Sequence, residues 1–160
     1  MANVRISKLD STGLLQLKNM DCAPLPVERD SIYILFYRFF NDTCRLAYVE
    51  DELVGFILAL VDQTDPAHAY IHYFFVKEEH RGMKIGEMLL NELISVLRTK
   101  QLRTVTLMTG NPKNEKYYSK FGFVRDEDMM DKDKTDPVYK YIIEDKKMIF
   151  YRLDLRRQLR

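Results

Sequence analysis

Cysteine is scarce in this 160-residue chain: only Cys22 and Cys44 are present, with no CxxC spacing. That argues against a disulfide-framed secreted scaffold and for free thiols in a reducing compartment. The histidines do not make up for the missing thiol ligands. His68 and His72 stand about 13 Å apart along one expected strand, too far to chelate an ion jointly, and no Cys/His cluster has zinc spacing. No metal is expected. Charge of one sign is also missing, since 25 Lys and Arg against 24 Asp and Glu leave a net charge of +1. The chain as a whole is therefore not drawn to nucleic acid or anionic lipid, and any affinity for phosphate must be local. No apolar run reaches the roughly 20 residues that span a bilayer. Met1 to Asp10 alternates polar and apolar residues and lacks the apolar centre of a leader. The expectation is a soluble, cytoplasmic chain. There is no GxSxG nucleophile elbow, no internal repeat and no low-complexity tract.

What is present is ordinary in bulk: 46% hydrophobic and 31% charged residues, enough chain for a single domain over 1–160 with a sizeable core. Val4 to Leu9 alternates and reads as a strand. Ser11 to Met20 reads as a helix capped by Asp10 or Ser11, and Asp30 or Ser31 caps a second helix running to about Phe40. Leu46 to Val49 and Leu53 to Val61 read as a hairpin. Tyr70 to Val76 is apolar on both faces, as a central strand would be. Ile85, Leu89, Leu93, Val96 and Leu97 recur at helical spacing. Val105 to Met108 is a short strand. Asn111-Pro112 starts a helix that Gly122 stops. Asp126 to Pro137 reads as a solvated loop, and Tyr139 to Ile143 with Met148 to Leu155 as two closing strands. The order β-α-α-β-β-β-α-β-α-β-β implies a mixed α/β sheet with helices on both faces.

Two stretches carry chemistry. Arg81-Gly82-Met83-Lys84-Ile85-Gly86 lies between the central strand and the amphipathic helix. A glycine-marked turn there bares backbone N–H groups at the positive end of a helix, a site for phosphate. It is no Walker loop, because Glu87-Met88 comes after Gly86, and Lys84 breaks the Rossmann fingerprint. An ordinary φ is expected at Lys84, which then adds positive charge beside Arg81. About 25 residues on comes the second stretch, Asn111-Pro112-Lys113-Asn114-Glu115-Lys116-Tyr117-Tyr118-Ser119-Lys120-Phe121-Gly122-Phe123. Asn114 and Tyr118 share one helix face, with Tyr117 and Phe121 on the neighbouring stripe that packs on the sheet.

In this order and spacing the two stretches resemble the GNAT superfamily, the Gcn5-related N-acetyltransferases. That family's loop reads Arg/Gln-x-x-Gly-x-Gly/Ala, and its later helix reads Asn-x-x-Ala, then a Tyr, then Gly-Phe. Arg81, Gly86, Asn111, Tyr118, Gly122 and Phe123 fit, while Lys84 stands at a motif glycine and Asn114 at the alanine. The likeness covers residues 43–123, with the ends matching by pattern. It implies a mixed, mostly antiparallel sheet of six to seven strands flanked by helices on both faces. It implies acetyl-CoA as cosubstrate, its diphosphate held by Arg81, Gly82, Met83, Lys84, Ile85, Gly86 and Glu87. The pantetheine arm is then held by the backbone of Phe74, Phe75 and Val76 along an open strand edge, with Asn111, Asn114 and Tyr118 nearby. A homodimer is common in the family.

Acyl transfer to an amine then needs a proton donor for the leaving thiolate and an acceptor for the amine's proton. Tyr118 is the expected acid, since a phenol with a reference pKa of about 10 matches a thiolate. His72, Tyr73 and Glu79 are candidate bases, with His72 placed first as base or substrate contact. Val27-Glu28-Arg29-Asp30-Ser31-Ile32-Tyr33, Asn41-Asp42-Thr43-Cys44 and Leu53-Val54-Gly55-Phe56 resemble the diaminobutyrate acetyltransferases, which have Asp at Glu28, Asn at Asp30 and Trp at His72. That likeness implies a small, cationic primary amine, such as a diamino acid, held by Glu28, Asp30, His72 and Tyr73, with Asp42 a further carboxylate. Two alternatives stand beside it: a non-catalytic acyl-CoA-binding or interaction module on the same fold, and an N-acetyltransferase acting on proteins or peptides.

Overall fold

A computed structural model describes residues 3–26, 28–131 and 136–156. Seven strands form one sheet: β1 (Val4–Ser7), β2 (Cys44–Val49), β3 (Glu52–Val61), β4 (His68–Val76), β5 (Thr104–Thr109), β6 (Val124–Arg125) and β7 (Ile149–Asp154). Their spatial order is β1-β2-β3-β4-β5-β7-β6. Every neighbouring pair is antiparallel except β4 and β5. A parallel pair needs a long crossover, and α3 (Ile85–Thr99) supplies it.

Helices cover both faces. α3 turns Ile85, Leu89, Leu90, Leu93, Ile94 and Leu97 onto Ala59, Ala69, Ile71, Val105 and Leu107. Each such leucine contributes about 2 kcal/mol by leaving water. On the other face, α1 (Ser11–Lys18) and α2 (Asp30–Phe39) bring Leu17, Tyr33 and Phe36 against Leu46, Phe56, Leu58, Tyr73 and Phe75. Asp10 caps α1 as expected, its Oδ1 accepting from the Gly13 N–H at 2.7 Å. α2 starts differently: Arg29 holds the cap position without a side-chain bond, and Asp30 lies in the first turn. There the Asp30 carboxylate faces the positive end of the helix and pairs with Lys18 at 3.4 Å.

Two irregularities in the sheet position the site. Leu58 and Ala59 are consecutive, yet they pair with Tyr73 and Ile71, so His72 is the extra residue of a bulge in β4. The bulge reverses the facing of the rest of the strand. Ala69 and Ile71 join the cluster under α3, whereas Tyr73 and Phe75, two and four residues beyond Ile71, join the cluster under α1 and α2. Secondly, β4 and β5 part company. Their pairing runs from His68↔Thr104 to Ile71↔Leu107 and stops there. Among the described residues, His72 to Val76 have no strand beside them on that edge, while Met108 and Thr109 pair only with β7.

The C-terminal third departs from the sequence pattern. Tyr139–Glu144 is a π-helical segment, where alternating apolar residues suggested a strand. β5 pairs with the whole of β7 and β6 with its Tyr151 and Arg152, and this segment joins neither edge. Asp136 instead opens a helical turn, accepting from the Val138 N–H at 2.9 Å. The sixth strand is Val124–Arg125, and α5 (Glu127–Asp131) occupies part of the expected loop. The rest of that loop, 132–135, lies outside the described residues. Among the described residues, no helix is long and apolar enough to cross a membrane.

Candidate active site

The chain leaves β4 at Val76, turns through Glu78–His80 and enters α3 at Ile85. Gly82 takes φ +96°, with nothing within 4 Å of where a Cβ would lie. Lys84, at the cap position of α3, takes φ +61°. The ordinary φ expected there is therefore wrong, because the turn into the helix is made in the left-handed region. Arg81 and Met83 donate their N–H groups back to Glu78 and His80. Those of Gly82, Lys84, Ile85, Gly86 and Glu87 have no acceptor among the described residues. They form a run of bare donors at the positive end of a fifteen-residue helix, a cradle for an anion. The Arg81 guanidinium bends back, its Nε donating to the Val76 carbonyl at 3.2 Å.

Gly86 shows how three elements meet. A Cβ there would lie 2.6 Å from the Tyr117 hydroxyl oxygen and 3.4 Å from Cζ of Phe74. The start of α3, the helix α4 (Glu115–Ser119) and the unpaired end of β4 thus converge on one point. α4 is entered through a short turn that Asn111 caps, its Oδ1 accepting from the Lys113 N–H at 3.0 Å. Asn114 donates from Nδ2 to the Thr109 hydroxyl, so its side chain is tied to the end of β5. Gly122, φ +96°, closes the helix: its N–H reaches Ser119 and that of Phe123 reaches the Tyr118 carbonyl.

Tyr118 sits half-buried among Tyr117, Phe123 and Tyr151. Burial raises its phenol well above the ordinary tyrosine value, with Tyr117 adding to the shift. Burial, with Glu87 nearby, pushes Tyr117 up to about 12. Both phenols are therefore proton carriers at neutral pH. The sequence pattern placed Tyr117 only in the packing, and its hydroxyl in fact reaches the head of α3.

Across the gap, His72 Nε2 lies 2.9 Å from Glu28 Oε2. Its ring stacks on Phe36 with centroids 5.2 Å apart and planes 22° apart. The two side chains are 35% and 22% exposed, so solvent reaches the pair. Tyr73 does not join it as a base. It is buried, its hydroxyl donates to the Pro26 carbonyl at 3.1 Å, and desolvation raises its phenol far above the usual range. Of the other carboxylates, Asp30 is with Lys18, Asp42 pairs with Lys100 and Lys8, and Glu79 is exposed in the turn after β4. Phe36 was not singled out in the sequence, although its place in an aromatic-rich helix facing the central strand was the available signal. Cys22 and Cys44 are both free and buried. Among the described residues, no group of three His, Cys, Asp or Glu could hold a metal.

The arrangement is an anion cradle at one end of a parted pair of strands, a protonated phenol on one flank and a carboxylate-held imidazole on the other. A model of the acetyltransferase (GNAT) family matches residues 14–123. The chain belongs to the GNAT acetyltransferase family. Within it, this GNAT chain is 35% identical over 83 residues to the L-2,4-diaminobutyric acid acetyltransferase of Shouchella clausii, a match covering 52% of this chain and 46% of that one. The chain thus spans about half the length of that curated relative. Among solved structures, the diaminobutyrate acetyltransferase EctA from Paenibacillus lautus, in complex with L-2,4-diaminobutyric acid and coenzyme A, superposes with a TM-score of 0.75. Both chains are covered completely, at 17% identity. The N-acetylglutamate synthase from Neisseria gonorrhoeae, complexed with coenzyme A and N-acetyl-glutamate, gives 0.75 at 15% identity over 98% of this chain and 36% of that one. At these identities both structures bear on the fold, a mixed and mostly antiparallel seven-stranded sheet.

Proposed function

We propose that this chain is an acetyl-CoA-dependent N-acetyltransferase that acylates a primary amine of a small molecule by direct attack. The observation that carries the reading is the unpaired edge of β4, His72 to Val76, running toward the bare N–H groups at the head of α3. An extended arm with a diphosphate at one end fits such a slot, adding main-chain bonds along the edge and anion contacts at the helix. The two relatives crystallised with coenzyme A support that ligand.

When bound, acetyl-CoA supplies an acyl thioester, electrophilic at carbon and able to leave as a thiolate. The chain does the rest. Gly82 and Lys84 to Glu87 offer N–H groups to the diphosphate, with Arg81 and Lys84 as cations beside it. The backbone of Phe74 to Val76 aligns the arm, and an N–H of Phe75 or Val76 is set to stabilise negative charge growing on the carbonyl oxygen. Asn111 caps with its oxygen, and its amide nitrogen, without a partner among the described residues, is offered to the arm. His72 takes the proton from the ammonium of the acceptor, and Glu28 orients the ring through the 2.9 Å contact. Tyr118 returns a proton to the departing sulfur. Asp30, tied to Lys18, has no part in this scheme. The likeness to a diaminobutyric acid acetyltransferase supports an amino-acid-like acceptor.

Calorimetry with acetyl-CoA, and then thiol release across a panel of amino acids, diamino acids and amino amides, tests the reading. The expected result is binding, with release from at least one amine at a KM between about 1 μM and 1 mM. Tight binding with no release from any amine would overturn it in favour of a non-catalytic module.

A further inference from the structure

We infer that the acceptor amine carries an apolar arm, and that the arm enters a cavity of about 320 Å³ at the end of β5. The inference rests on the acyl-transfer reading and narrows its substrate class to primary amines bearing an aliphatic, thioether or aromatic substituent.

The cavity lies at the end of β5, the strand that parts from β4 at the candidate site. Gly110, in its wall, comes directly after Thr109, and Ile149, also in its wall, is the β7 partner of Thr109. Thr109 belongs to the stretch of β5 that has parted from β4. The gap between the strands is therefore flanked by Glu28 and His72 on the β4 side and by this cavity on the β5 side. An amine whose nitrogen meets the acyl end of the pantetheine arm beside His72 can turn the remainder of its body past that end toward the cavity.

The lining is mostly apolar. Pro112, Met130, Tyr139, Ile143, Met148 and Ile149 surround it, and the charged wall residues Glu144 and Lys147 are both exposed, which confines charge to the rim. The volume is at the small end of ligand pockets, enough for a side chain or short alkyl group. A diamino acid, polar at both ends, leaves those walls without a partner.

The roof of the cavity carries a second, independent sign. The π-helical segment Tyr139–Glu144 buries none of its side chains, although it is rich in apolar ones. Its Tyr139 and Ile143 line the cavity and are left half-buried. Those two side chains gain dispersion contacts on the cavity side when something fills the hole. π-helical turns recur at ligand sites for a related reason, since their wider winding re-aims side chains.

The test uses a graded series: alaninamide, 2-aminobutyramide, norvalinamide and norleucinamide, with 2,4-diaminobutyrate as the polar comparator. The value of kcat/KM in thiol release should rise about fourfold with each methylene added. Gly110→Leu puts bulk where a Cβ meets nothing within 4 Å, and should drive the ratio of norleucinamide to alaninamide toward one. Hydrogen exchange gives a readout independent of turnover: norleucinamide should slow exchange across residues 139–148, and 2,4-diaminobutyrate should not. A flat series with brisk release overturns the inference and leaves the acyl-transfer reading standing. So does a Gly110→Leu variant that slows every acceptor equally, or protection of 139–148 by diaminobutyrate alone. Failure of every amine to release thiol overturns both.

Discussion

Lys84 combines two effects that a single substitution can separate. Its left-handed backbone costs a side-chain-bearing residue about 1 kcal/mol relative to glycine. Its side chain springs from the cap position of α3, where the cradle for a diphosphate is proposed, and carries a positive charge. Lys84→Gly should therefore raise the melting temperature while weakening acetyl-CoA binding, two shifts of opposite sign read by calorimetry and titration. Tighter binding would remove Lys84 from the cofactor site. Tyr118→Phe deletes only the hydroxyl, from a ring that keeps its contacts with Phe123 and Tyr151. Turnover should fall by about a hundredfold, the usual scale for a lost general acid, with acetyl-CoA binding little changed. An undiminished kcat would end its role as acid. The two stretches that hold these residues stood out in the sequence because glycine, asparagine and tyrosine mark them. The conformation of Lys84 did not, since it puts a side chain where the geometry favours glycine. The joining of Glu28 to His72, 44 positions apart in sequence, needed the fold.

At the scale of elements, the packing of α3 on α4 depends on the absence of a single carbon. Gly86→Ala forces its Cβ to 2.6 Å from the Tyr117 hydroxyl unless one of them moves. Such overpacking costs about 1–3 kcal/mol. Adding Tyr117→Phe removes the offending oxygen, so the double variant should regain most of the lost stability in urea melts. Strict additivity of the two substitutions would show that the clash relaxes elsewhere. α3 was legible from the 3.6-residue spacing of its apolar residues, and α4 from the end signals Asn111-Pro112 and Gly122. Tyr139–Glu144 was misread because alternation in a short apolar run is ambiguous, and whether a strand forms depends on a free edge in a sheet that the run itself does not encode. The bulge at His72 was likewise silent in the sequence, although it decides which face Tyr73 and Phe75 serve.

Across the whole molecule, the buried phenols and thiols set an alkaline limit. Desolvation pushes Tyr33 and Cys44 up to about 12, as it does Tyr117, and raises Tyr118 and Tyr73 further. A raised value means that the folded state holds the proton more tightly than the unfolded chain, so stability is complete at lower pH and is lost as pH rises. The melting temperature should begin to fall near pH 9, the ordinary value for the Cys44 thiol, and steepen above pH 10, where unfolded tyrosines ionise. Scanning calorimetry between pH 7 and 12 checks this, and a flat profile through pH 11 (about one unit past a free phenol) would contradict it. Asp42, Glu52 and Asp62, lowered chiefly by hydrogen bonds from Lys100, Lys77 and His68, act in the opposite sense and lose their contribution below about pH 4. The parting of β4 from β5 has a consequence for how such a molecule changes over generations. It leaves two leaves, hinged where His68 to Ile71 still hold their neighbours, one bearing the imidazole and the other the phenol. For the reaction proposed above, mutations that reshape the grip on an incoming amine can accumulate on the outer half of either leaf while the proposed anchor at the head of α3 stays as it is, so selectivity can drift without the donor being lost.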